Sequence, residues 1–256
     1  MLPTIKTALF TIDTQQLCNV LGSIFAIVYI WLELYVTFVK KKKVVYFLKY
    51  HVIVTASLVI VLLLGTILNA IIRGFQADIV STGFVDKLRE AVSYKGSHFI
   101  GCVIAMAVLL PIVFFIFYKK KNAFKLLSIT AYFVPIQHLF NRLGCFFHGC
   151  CVGIPMDGIF TVKFKGMNHY VFPSQLFEAG LMLILFVIQI ILTKKKRNIF
   201  IFTNTYFSVA IFVSEFFIDD SFLSRYGNLT PIQIAALFLF AFSLLSLIIK
   251  KMLIKR

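Results

Sequence analysis

The amino-acid sequence predicts an all-α integral membrane protein with seven transmembrane helices, its N-terminus outside and its C-terminus cytoplasmic. Three observations carry that expectation. Of 256 residues, 60% are hydrophobic and 14% charged, with a mean hydropathy of +0.94; a soluble domain is about 45–50% apolar and about 25% charged. Apolar runs recur along the whole chain. The basic residues fall in short blocks between those runs.

The runs occupy roughly 17–39, 51–72, 99–118, 124–140, 173–193, 199–218 and 230–249. At about 1.5 Å per residue each crosses a hydrocarbon core of about 30 Å, the fourth only by extending into the polar segment after it. Lipid offers no partner to open backbone, so all seven are expected to be helical. Pro135 is expected to interrupt the fourth. Met1 to Gln16 contains Lys6 and Asp13 and lacks an apolar core followed by small residues, so no cleavable signal peptide is expected.

Orientation follows from charge. Lys40–Lys43, Lys119–Lys121 with Lys125, Lys194–Arg197, and Lys250, Lys251, Lys255 and Arg256 hold 16 of the 26 basic residues. A seven-span count puts all four blocks on one side, which the positive-inside rule makes cytoplasmic. Asp13, Asp78, Asp86, Glu90, Asp157, Asp219 and Asp220 fall on the other. The same block pattern, despite a net charge of +16, argues against a nucleic-acid partner and for the lipid bilayer. Residues 1–256 read as a single transmembrane domain, with outer loops 73–97 and 154–172 as small arm or head elements. The first has mixed charge suited to an interfacial helix. In the second, Thr161-Val-Lys-Phe-Lys alternates like a short strand.

The stretch from His138 to Gly153 is polar within long apolar surroundings. Arginine and histidine there cost free energy unless paired or solvated. Arg142 either snorkels to the interface or grips an anion bidentately. Gly144, Gly149 and Gly153 favour the second reading, since glycine lets backbone turn sharply and approach a head group. Cys145, His148, Cys150 and Cys151 do not match the spaced pairs of a structural zinc site, so no metal is expected. A disulfide from Cys145 to Cys150 or Cys151 is the alternative on an oxidising outer face.

Other groups fall on the same side. Gly96-Ser-His98-Phe-Ile-Gly101 opens the third span, and His98 is either an interfacial histidine or a group that titrates near neutrality for chemistry. Pro173-Ser-Gln-Leu-Phe-Glu178 opens the fifth span and carries its carboxylate into the bilayer. Glu215 and Glu33 are also intramembrane acids. Each is either bundle glue or substrate contact.

Taken in order, Gly96–Gly101, Arg142–Gly153, Phe172-Pro-Ser-Gln-Leu-Phe-Glu-Ala, Ser214-Glu-Phe-Phe and Leu229-Thr-Pro-Ile-Gln-Ile resemble the motifs of the prolipoprotein diacylglyceryl transferase family. The resemblance covers roughly residues 90–245. It implies a multi-pass enzyme of the bacterial cell membrane that needs no cofactor. Such an enzyme moves the diacylglyceryl group of phosphatidylglycerol onto the lipobox cysteine thiol of a prolipoprotein signal-peptide substrate, releasing glycerol phosphate. Carried over, the resemblance makes His98 and Arg142 catalytic, as base and phosphate anchor. Asn141, Gly144, His148, Gly153, Gln175, Glu178 and Glu215 become substrate-binding. The chain departs from the family's pattern where Cys145, His148 and Cys150 stand in place of Asn, Asn and Glu, and where Ile211 and Ile218 stand in place of arginines. The alternatives are the same donor with another acceptor, a non-catalytic lipid-binding paralogue, and a thiol-redox membrane protein.

Overall fold

The computed structural model describes residues 4–6, 11–39, 44–76, 99–194, 199–219 and 227–255. A short antiparallel hairpin of β1 (Thr4–Lys6) and β2 (Thr11–Asp13) pairs Ile5 with Ile12 and leads directly into α1 (Thr14–Leu34). Asp13 caps α1: its carboxylate accepts from the backbone N–H groups of Gln15 and Gln16 at 2.9 and 3.1 Å, two donors that the first turn leaves without helical partners. A π-helical turn, Tyr35–Val39, ends this first span. Then come α2 (Val44–Gln76), α3 (Ile100–Phe117), α4 (Lys120–Thr130), α5 (Phe133–His148), α6 (Ser174–Lys194), α7 (Ile199–Ser214), a 3-10 turn (Glu215–Phe217) and α8 (Pro231–Lys255).

Among the described residues, seven segments are long and apolar enough to cross a membrane: Thr14–Phe38, Lys49–Asn69, Ile100–Phe117, Lys120–His148, Ser174–Thr193, Ile199–Phe217 and Pro231–Ile248. Each expected span is present. The fourth is two helices, and its break lies at Ala131–Tyr132 rather than at Pro135. Pro135 instead sits in the first turn of α5, where a missing N–H costs nothing. The carbonyl of Ala131, whose i+4 residue Pro135 has no N–H, accepts from Val134 N–H at 3.3 Å and from Gln189 Nε2 at 3.2 Å, and the same amide donates to Thr203 Oγ1 at 2.7 Å. Irregular backbone at this depth survives because α6 satisfies it. Glu33 serves as glue, accepting from Tyr29 Oη at 3.4 Å.

Alternating helices give the bundle two ends. At the lysine-rich end Tyr118 Oη donates to the Lys49 carbonyl at 3.0 Å and Asn122 Nδ2 to Tyr50 Oη at 3.1 Å. At the other end, residues 152–172 form isolated bridges, Pro155 to Val171 and Val162 to Val171. Of the expected outer arm 73–97, residues 73–76 finish α2 and the remainder lies outside the described residues. Between the ends, Ile24, Phe25, Leu32, Leu63, Ile116 and Phe238 are exposed, a belt of large apolar side chains that only lipid covers favourably.

Small residues set the helix crossings, as expected where helices associate by close packing rather than by expelling water. A Cβ at Gly22 of α1 would lie 2.7 Å from Phe140 Cβ of α5, and one at Gly65 of α2 would lie 2.5 Å from the Cys102 Cα of α3. Gly65→Val therefore forces α2 and α3 apart, at an overpacking cost of about 1–3 kcal/mol or more. We expect its thermal midpoint in detergent to fall by about 5 °C or more. Gly180→Ala, at a helical glycine with no atom within 4 Å of the new Cβ, should leave the midpoint unchanged.

Candidate active site

The site is built on one stripe of α5. His138, Asn141, Arg142 and Cys145 recur at i, i+3, i+4 and i+7, so they line one face, and all four are buried. Opposite them, the first turns of α6 present Ser174, Gln175 and Glu178, also buried. Arg142 is only 2% exposed, the largest side chain so fully enclosed. A guanidinium does not lose its proton, so its charge has to be met in place.

Glu178 meets it. Its Oε2 lies 2.8 Å from Arg142 Nε and 3.0 Å from His138 Nε2. Arg142 Nε also approaches His138 Nε2 at 3.4 Å. One ring nitrogen cannot both accept from Arg142 and donate to Glu178. The shorter contact makes Nε2 the donor to the carboxylate, which leaves Nδ1 unprotonated in the neutral ring. The imidazole is held between Phe99 and Phe207, with ring centroids 5.8 and 5.3 Å away. Around this triad, four buried atoms make no hydrogen bond among the described residues: Arg142 Nη1, His138 Nδ1, Glu178 Oε1 and Gln175 Oε1. Each such atom costs about 1–3 kcal/mol, so the cluster suits a ligand rich in both acceptors and hydroxyl donors.

The loop after α5 closes over these residues. Gly149, at φ 83°, ends the helix in the left-handed conformation and donates its N–H to the Cys145 carbonyl at 2.9 Å. Cys151 is also left-handed at φ 56°, rare for a residue with a Cβ. The first turn of α6 pins that shape: Gln175 Nε2 donates to the Cys150 carbonyl at 2.7 Å and Ser174 Oγ to the Cys151 carbonyl at 2.9 Å. Gly153 then threads between two backbones, where a Cβ would come within 2.2 Å of the Phe172 carbonyl oxygen and 2.7 Å of that of Phe217. Ile154 N–H donates to Phe217 O at 3.1 Å and Phe172 N–H to Ile154 O at 3.0 Å, tying the loop to the ends of α6 and α7.

The cysteines of the loop carry thiols and form no cross-link. Cys145, Cys150 and Cys151 nevertheless converge, their sulfurs all within 4.8 Å of one another. Gln15 of α1 donates through Nε2 to Cys145 Sγ at 3.3 Å and accepts from Cys150 Sγ at 3.9 Å. Hydrogen bonding with Cys145 and Cys151, then burial, pushes the Cys150 thiol up.

Of the sequence-predicted residues, Arg142 and Glu178 meet in the ion pair, and Gln175, one turn before Glu178 on α6, holds the Cys150 carbonyl. Glu215 is buried at the end of α7, accepts from Thr230 Oγ1 at 3.3 Å and lies within electrostatic reach of Arg142. Thr230 belongs to a capping box that starts α8, exchanging hydrogen bonds with Gln233 at 3.0 and 3.1 Å. Asn141 turns to α1, donating to Asn19 Oδ1 at 2.7 Å. Gly144 is a helix-crossing glycine rather than a turn residue: a Cβ there would lie 2.9 Å from Cys18 Cβ. His148 faces outward to Asp13 at 3.6 Å, both side chains 18% exposed. His98 lies outside the described residues. Ile211 and Ile218 are buried, Ile211 in the apolar core and Ile218 bridged to Gly153. His138 and Gln15 were not among the sequence-predicted site residues, although the polar i, i+3, i+4, i+7 spacing on α5 signals His138.

The family described as Prolipoprotein diacylglyceryl transferase matches residues 4–249. The chain belongs to that family. It is also similar to a Campylobacter lari protein named phosphatidylglycerol–prolipoprotein diacylglyceryl transferase, 28% identical over 137 residues. That match covers 52% of this chain and 49% of the relative, so the chain spans about half the length of the curated relative it matches. Within this member of the prolipoprotein diacylglyceryl transferase family, the buried Arg142–Glu178 pair is the point of greatest vulnerability. Removing one partner of a buried pair strands the other charge, at about 3–5 kcal/mol. Glu178→Leu should therefore lower the thermal midpoint far more than His148→Ala, which breaks only a partly exposed pair worth roughly 0–1 kcal/mol.

Proposed function

We propose that this protein transfers the diacylglyceryl group of phosphatidylglycerol to the lipobox cysteine thiol of a prolipoprotein. The observation that carries this reading is the set of unsatisfied buried atoms around Arg142. Arg142 Nη1 asks for an acceptor, and a phosphate oxygen is the acceptor a guanidinium binds best. Glu178 Oε1 and Gln175 Oε1 accept only, and a glycerol head group supplies hydroxyl donors to them. Phosphatidylglycerol, the donor named in the relative's description, combines both. The apolar belt around the bundle lets that lipid arrive from the bilayer.

In the transfer the acceptor sulfur forms a bond to the terminal glyceryl carbon, and the bond from that carbon to the phosphate oxygen breaks. The thiol proton passes to a base, and glycerol phosphate leaves. Arg142 offsets the charge gathering on the departing phosphate, the kind of stabilisation worth about 10²–10³ in rate. Glu178, steadied by the hydrogen bond from His138, holds Arg142 in place through Nε while Nη1 stays available. His98 takes the part of the base, as the family resemblance implies, since a thiolate is the competent nucleophile and imidazole titrates near neutrality. The lysine-rich end faces the cytoplasm of a bacterial cell, so the site opens on the outer side where secreted precursors emerge.

A second reading keeps the donor and changes the acceptor. Its support is that Ile211 and Ile218 are buried where the family's pattern carries arginines, Ile211 within the apolar core. Membranes supplied with phosphatidylglycerol labelled in its acyl chains and a lipobox peptide separate the two. We expect label on the peptide, and a drop of at least about 100-fold with Arg142→Ala and about 10²–10⁴-fold with His98→Gln. Undiminished transfer by either variant contradicts the assigned roles. Label on another product, with none on the peptide, favours the second reading.

A further inference from the structure

We infer that Cys145, Cys150 and Cys151 form a three-thiolate site for one divalent thiophilic cation, of which Zn2+ is the natural probe. Spacing alone speaks against it, because neighbouring side chains in extended backbone point apart. The structure removes that objection. Cys151 adopts φ 56°, and the three sulfurs lie within 4.8 Å of one another, one contributed by the end of α5 and two by the loop. A tetrahedral zinc with bonds of about 2.3 Å needs sulfurs roughly 3.8 Å apart, so contraction of about 1 Å completes the set. Small side-chain rotations supply it.

The surroundings are those of a supported metal site. Ser174 and Gln175 hold the Cys151 and Cys150 carbonyls at 2.9 and 2.7 Å, so the loop does not have to be ordered by the ion. Gln15 reaches two of the sulfurs, donating to Cys145 Sγ at 3.3 Å and accepting from Cys150 Sγ at 3.9 Å. Its amide supplies the outer support that ligand sulfurs require, and its Oε1 is placed to become a fourth, oxygen ligand. Binding exchanges three thiol protons for the cation. A divalent ion leaves one net negative charge, whereas a monovalent ion would leave two. Arg142 is within electrostatic reach of Cys145 and Cys151 but already serves Glu178, which favours the smaller residual charge.

The site is separate from the orphaned atoms that the lipid reading uses, so the two stand or fall independently. The test uses the full chain in detergent, purified under reducing conditions, stripped with chelator and re-equilibrated with Zn2+. We expect one tightly held Zn2+ per chain, protection of Cys150 and Cys151 from maleimide, and return of labelling when chelator is added. Cys145→Ser, Cys150→Ser and Cys151→Ser should each weaken binding by at least about 100-fold and Gln15→Leu by roughly tenfold. Cys18→Ser and Cys102→Ser should leave it unchanged. Stoichiometry and maleimide protection in the unsubstituted protein keep the test valid if a variant misfolds. Absence of bound Zn2+ after re-equilibration, or a disulfide among the three cysteines in a parallel preparation made without reductant, overturns the inference.

Discussion

The structure is organised around a charge that has nowhere to go. Arg142 sits in the interior of a bundle meant for lipid, where a guanidinium carries a desolvation penalty of several kcal/mol. Its partner Glu178 carries a similar one. The two repay it at 2.8 Å, in a setting of low dielectric where attraction is strong, and His138 shares the same carboxylate oxygen at 3.0 Å. Such a pair is a poor device for stability alone, since apolar residues of the same volume do as well. Its value lies in orientation. Nε is engaged, so the guanidinium is fixed in plane, and the other edge stays available for work.

Much of the surrounding architecture holds that geometry. The triad draws on α5 and α6, with Phe99 and Phe207 enclosing the imidazole from α7 and the residue before α3. α1 comes close enough to seal one side because Gly22 and Gly144 remove the side chains that would separate it from α5. The loop after α5 folds back over the stripe through left-handed residues at Gly149 and Cys151, and Gly153 locks it between Phe172 and Phe217. Polar groups exposed by these departures from helix find partners nearby. Among the described residues, four of the five exceptions belong to Arg142, His138, Glu178 and Gln175, the fifth being Gln189 Oε1, and this concentration separates a binding site from an ordinary buried ion pair.

Hydropathy made the seven spans legible, because a long apolar run has few outcomes other than a crossing helix. Finer features depended on information that composition does not carry. Pro135 pointed to an interruption in the fourth span, but proline tolerates a helix's first turn, and the break settled just before it. The N-terminal hairpin is three residues per strand and lies outside any periodic segment, so no pattern announced it. Motif order named Arg142, Gln175 and Glu178, and Arg142 pairs with Glu178 one turn of α6 after Gln175. The same order also grouped with them His148, which faces Asp13, and Gly144, which serves a helix crossing. His138 opens the polar stretch and was expected to need a partner, but its place beside Arg142 and Glu178 depends on its helical phase relative to Arg142. The cysteines needed three dimensions: their convergence depends on a left-handed residue that no spacing rule anticipates.

The central claim is that Arg142 uses the guanidinium edge left over by Glu178 to hold a lipid phosphate. Thermal stabilisation by added lipid tests it directly in wild type and in Arg142→Lys, which keeps the charge and loses the planar fork. The account predicts a rise in midpoint for the wild type with phosphatidylglycerol, little rise with phosphate-free diacylglycerol, and loss of the phosphatidylglycerol effect in the lysine variant. An equal phosphatidylglycerol-induced rise in both proteins would contradict it.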